Sequence, residues 1–116
     1  MNQIQSASEG MVSAETSGKQ ISLQDMFKLG NTFHKDEKLD QAETVFREIL
    51  KISPDHPGAL HFLGVIARQC GKLESAVNLI KKAIKVSPKY HTAYNNLGQT
   101  YRDIGDSEKA KEAFNR

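Results

Sequence analysis

The sequence predicts an all-α fold, an α-solenoid of stacked antiparallel helix hairpins. Two observations predict it. Displaced by 34 residues, the chain matches itself: Gly30, Gly64 and Gly98 fall in register, as do Leu29, Leu63 and Leu97. The same shift aligns Ala42, Ala76 and Ala110, then Phe46, Ile80 and Phe114, and finally Pro54 with Pro88. A period of that length belongs to helix–turn–helix units that stack in a row, each contacting only its neighbours. The second observation is that helix formers dominate from Leu23 onward, while β-branched runs alternating polar and apolar residues are missing.

Each element follows from local chemistry. Residues 1–21 are built from Ser, Gln, Glu, Gly and Ala with scattered apolar residues and no period. Such a stretch buries too little surface to offset the entropy of ordering, which predicts a disordered tail. Structure is expected over 22–116, in units of about 23–56, 57–90 and an incomplete 91–116. Ser22 followed by Asp25 places a cap and an acid at a helix start. The first helix is predicted over Leu23 to Lys35, a turn at Asp36-Glu37-Lys38, and a second helix over Leu39 to Ile52. Ser53-Pro54 ends it, because a residue before proline is pushed out of the α region. Pro57 suits the first turn of the third helix, where a missing N–H costs nothing. Gly71 is expected as a left-handed cap. From Leu73 the residues Ala76, Val77, Ile80, Ala83 and Ile84 step by three and four, forming one apolar stripe. The last unit opens near His91, turns at Gly105-Asp106 and carries a helix to Arg116.

Glycine inside a helix costs about 1 kcal/mol relative to alanine, so one in every unit calls for a packing reason. The expectation is a close approach of the paired helix at Gly30, Gly64 and Gly98. Ala42, Ala76 and Ala110 would be the small residues opposite, with Leu63, Ala67, Ile80 and Ile84 filling the space around.

With these positions in hand, the chain resembles the tetratricopeptide repeat (TPR) family. Met26, Leu29, Gly30, Phe33, Ala42, Phe46 and Pro54 fill the family pattern in the first unit, with Ile49 in place of its second small residue. Leu60, Leu63, Gly64, Ala67, Ala76, Ile80, Ala83 and Pro88 fill it in the second; Tyr94, Leu97, Gly98, Tyr101, Ala110 and Phe114 fill it in the third. The resemblance implies a right-handed stack whose first helices line a concave groove for a peptide. It also implies a non-catalytic interaction scaffold. Of the lysine, asparagine and arginine slots with which chaperone-tail-binding members hold a terminal carboxylate, only Asn31 is kept. Tyr94-Asn95-Asn96-Leu97-Gly98 resembles the asparagine ladder in the TPR arms of O-linked N-acetylglucosamine transferases. The segment from His56 to Ile84 resembles the leaders of bacterial glycosyltransferases and sulfotransferases. An alternative reading is therefore the docking arm of a larger enzyme of that type.

Counted in the repeat register, the groove residues expected to meet a partner are Phe27, Asn31 and His34, then His61, Val65 and Arg68, then Asn95, Gln99 and Arg102. His34, Arg68 and Arg102 share one column. A basic stripe there would offer forked donors to an acidic or phosphorylated peptide. Exposed ion pairs contribute only about 0–1 kcal/mol each, whereas micromolar binding needs about 8 kcal/mol. Apolar anchors such as Phe27 and Val65 would supply most of the affinity.

Other chemistry is not expected. A net charge of +2, from 16 basic and 14 acidic residues, is too mild to imply nucleic acid or an anionic membrane. Lys81, Lys82, Lys85 and Lys89 read as a solvated face. No Cys, His, Asp or Glu set has metal-ligand spacing, and no phosphate-cradling glycine loop is present, so no cofactor is expected. Cys70 is the single cysteine and cannot form an internal disulfide, which suits a reducing compartment. There is neither a signal core nor a membrane-length apolar run, and cytoplasm is the expected location. The third unit stops eight residues short of the period. That predicts an array cut within its third unit or, failing that, a bare last helix that pairs with a second copy.

Overall fold

The computed structural model describes residues 21–116. The expected tail therefore lies, Ile21 excepted, outside the described residues. Six helices and no strand are found among the described residues: α1 (Leu23–Lys35), α2 (Leu39–Ile52), α3 (Pro57–Gln69), α4 (Leu73–Val86), α5 (His91–Ile104) and α6 (Ser107–Phe114). The all-α helix-repeat fold is thus observed, and the first five helices begin where the local signals place them. The chain divides into two compact units between Val45 and Phe46, inside α2.

In the first unit, Ser22 caps α1 by accepting the Asp25 N–H at 3.0 Å. Gly30 is buried inside α1. The turn after α1 has a left-handed residue that is not glycine: Glu37 has φ 60°. Its neighbour Lys38 donates to Phe33 O at 2.8 Å. Asparagine and glycine tolerate this conformation, whereas a glutamate pays in Cβ–carbonyl crowding.

The second unit contains the remainder of α2 and the helices α3 to α6. α3 packs on α4, α5 on α6 and α4 on α5, and α3 also touches α5. The first-helix ends repeat the α1 geometry, now with glycine at the left-handed site, Gly71 at φ 80° and Gly105 at φ 98°. Lys72 N–H reaches Ala67 O and Asp106 N–H reaches Tyr101 O, the six-to-one bond of a Schellman cap. Pro57 stands in the first turn of α3, and His56 supplies the cap, its Nδ1 accepting the Ala59 N–H at 3.0 Å. Asp106 Oδ1 does the same for Lys109 N–H at the start of α6. α6 stops at Phe114, two residues before the expected end. Arg116 N–H bonds to Ala113 O, an i→i−3 contact of a tightened final turn.

The core runs through Leu60, Leu63, Ile66 and Ala67 of α3, Ala76, Ile80 and Ala83 of α4, and Ala93 and Leu97 of α5. Glycine does make the close contacts, with the expected Ile80 and Ala76 at Gly64 and with Phe114 at Gly98. A Cβ on Gly64 would lie 2.5 Å from Ile80 Cγ1 and 3.3 Å from the Ala76 carbonyl oxygen. At Gly98 it would meet the Phe114 ring at 2.5 Å. The space left by each glycine is filled by a large side chain four residues beyond the alanine. Ala76 contributes its backbone, because a methyl side chain lets the chain itself come near. No helix among the described residues is long and apolar enough to cross a membrane.

Candidate functional site

The nine candidate groove residues divide between the two units. On α1, Phe27, Asn31 and His34 step by four and three, so they share a helix face. All three are half-buried. Asn31 Oδ1 is shielded from solvent and has no hydrogen-bond partner. Phe27 and His34 are each engaged in contacts.

The second unit places Val65 and Arg68 on α3 and Asn95, Gln99 and Arg102 on α5. Val65, Arg68 and Gln99 are half-buried, and Asn95 and Arg102 are exposed. Two features depart from expectation. Arg68 Nε donates to Asp103 Oδ2 at 2.6 Å, which ties α3 to α5. With Arg68 at 27% and Asp103 at 39% side-chain exposure, the pair contributes about 0–1 kcal/mol. Arg102 lies over the Phe114 ring, 5.3 Å from its centroid. In this unit Arg68 is thus paired with a carboxylate, and Arg102 stays exposed over an aromatic face.

His61 is the clearest correction. It is 1% exposed and belongs to the core, not to a surface that meets a partner. Tyr90 Oη lies 3.0 Å from Nδ1, and Asn96 Nδ2 lies 2.7 Å from Nε2. Both ring nitrogens are thus engaged, one by a phenol and the other by an amide. Burial raises the pKa of Tyr90 above its ordinary value, because the phenolate would lose solvation. Phe62 meets the imidazole edge-on at 4.8 Å, and Phe46 stacks on Phe62 at 5.5 Å. Thr100, also buried, donates to Asn96 O at 2.7 Å.

Repeat reasoning missed this triad because it breaks the register. The positions equivalent to His61 hold Phe27 and Asn95, those equivalent to Asn96 hold Lys28 and Phe62, and those equivalent to Tyr90 hold Ser22 and His56. A signal was nonetheless present: a histidine inside an otherwise apolar helix needs buried partners. Among the described residues no group of His, Cys, Asp or Glu side chains is placed to hold a metal ion. Cys70 is a free, exposed thiol.

Comparison with known proteins agrees with this geometry. Residues 26–56 match the model of the tetratricopeptide repeat, and residues 64–105 match a TPR repeat model. The chain belongs to the TPR family. No curated relative matches it. Among solved structures it is similar to MamA, at 22% identity and a TM-score of 0.75, over 89% of this chain and 58% of that one. A second MamA structure matches at 20% identity and a TM-score of 0.73, over 81% and 51%. An O-GlcNAc transferase from Thermobaculum terrenum matches at 23% identity and a TM-score of 0.77, over 78% of this chain and 18% of the enzyme. The chain thus spans little more than half of MamA and under a fifth of the transferase.

Proposed function

We propose that this chain is a non-catalytic interaction module that holds a protein or peptide segment against the α3–α5 face. The supporting observation is the row Val65, Asn95 and Gln99. It offers one apolar side chain on α3 and two amides on α5 that can donate to and accept from an extended backbone. TPR membership supports a protein partner rather than a small molecule. Phe27, Asn31 and His34 are the candidates on α1. His61 acts beneath the surface, holding α5 against α3 through Tyr90 and Asn96. Arg68 and Arg102 border the row.

A photo-crosslinking residue placed at Gln99 tests the reading, with the same residue at exposed Asp55 as control. The expected outcome is a discrete adduct from position 99 only. Val65→Asp then weakens binding of the captured protein at least tenfold, about 1.4 kcal/mol. Equal labelling from both positions would discard the site. The match to a small part of an O-GlcNAc transferase supports a second reading, a substrate-docking arm within a larger enzyme. A catalytic domain in the same open reading frame would favour that reading.

A further inference from the structure

A second cleft lies on residues that none of the candidates above include. It has a volume of about 700 Å³ and is formed where α4, α5 and the end of α6 converge. Lys81, Lys82 and Lys85 of α4 and Arg116 stand on its rim. Ile84, Tyr94 and Leu97 form an apolar floor. The cleft runs on into a smaller one of about 310 Å³, which shares Lys81, Tyr94 and Arg116 and adds Lys109 and Glu112.

None of the four rim cations forms an ion pair with a carboxylate among the described residues. Lysines this close repel one another, and an anion entering between them would relieve that repulsion. A solvated helix face is flat. This one borders a recess with an apolar floor, which suits a ligand carrying negative charge around an apolar side chain.

We propose that this cleft is a docking site for an acidic peptide segment with one embedded apolar residue. That side chain rests on Ile84, Tyr94 and Leu97, while flanking carboxylates meet Lys81, Lys82, Lys85 and Arg116. Charge and shape together select this occupant over a nucleic acid. A phosphate backbone needs a continuing basic track. Here the positive run is interrupted by Glu112, and the recess takes a side chain rather than a backbone. Exposed ion pairs are individually weak, so the apolar contact provides the hold and the lysines the selectivity.

The test is a titration of the full ¹⁵N-labelled chain with the acetylated, amidated peptide EDLFDE. Its neutral counterpart QNLFNQ and a thymidine decamer serve as comparators. Expected are saturable shifts at Lys81, Lys82, Lys85, Tyr94 and Arg116, at least fivefold weaker binding of the neutral peptide, and loss of affinity with added salt. Lys81→Glu with Lys85→Glu should lower affinity at least tenfold, and Lys81→Gln with Lys85→Gln by less, with unchanged unfolding midpoints. Val65→Asp should leave this affinity intact, which separates the cleft from the α3–α5 face. Equal binding of the two peptides, shifts centred elsewhere, or tighter binding of the thymidine decamer would overturn the proposal.

Discussion

The hairpins α3–α4 and α5–α6 obey one sequence rule and pack differently. Both keep a glycine in the middle of the first helix, and both push a large side chain into the space it leaves. At Gly64 that side chain is Ile80, which is fully buried, with the Ala76 carbonyl close behind. At Gly98 it is Phe114, which stays 38% exposed and carries Arg102 on its ring. A repeated spacing therefore specifies where a contact forms, while the surroundings decide how much that contact is worth. Phe114 can swing aside; Ile80 has nowhere to go.

The largest expected effect tests that difference directly. Gly64→Ala drives a methyl into Ile80 and should destabilise by about 1–3 kcal/mol, as overpacking does in a closed core. Gly98→Ala displaces only a half-exposed ring and should cost under about 1 kcal/mol. Urea unfolding of the two variants measures both; equal losses would show that the two contacts are equivalent after all.

Next in size is the contrast between turns. Gly71 and Gly105 hold the left-handed site at the end of α3 and α5, and Glu37 holds it after α1. Glu37→Gly should stabilise by about 1 kcal/mol by relieving the crowding a side chain suffers there. A fall in the thermal midpoint would mean that the Glu37 side chain does more than occupy the turn.

An effect of similar size belongs to the triad of His61, Tyr90 and Asn96. Burial raises the Tyr90 pKa, so the folded protein keeps a proton that the unfolded chain releases near pH 10. The stability this provides is complete below pH 10 and is lost as pH rises through the higher folded value. Tyr90→Phe should cost about 1 kcal/mol at pH 8, through the bond to His61, and less as the pH climbs past 10. Unfolding curves of both proteins at pH 8 and 10.5 check the sign; a cost that grows with pH would refute it.

Much of this molecule was legible beforehand. Helix ends were readable at Pro54, Pro57 and Gly71 because backbone φ and a missing N–H act within a few residues. The α4 stripe was readable because period alone sets which side chains share a face. The candidate site was less so. Arg68 and Arg102 share a column in the register, yet nothing local announces that Asp103 neutralises the first or that Phe114 lies beneath the second. His61, aligned with Phe27 and Asn95, was placed at the surface by a rule of averages that its own neighbours break.

By itself, then, the sequence determined the repeat, the helix boundaries and the family, since all three rest on spacing and on short-range backbone chemistry. Only the tertiary structure decided which side chains remain available. The reach from His61 to Tyr90 and Asn96 spans 29 and 35 residues, and the ion pair from Arg68 spans 35. Those contacts exist because α5 lies against α3, and side chains that meet across helices compete for partners in ways no local pattern records.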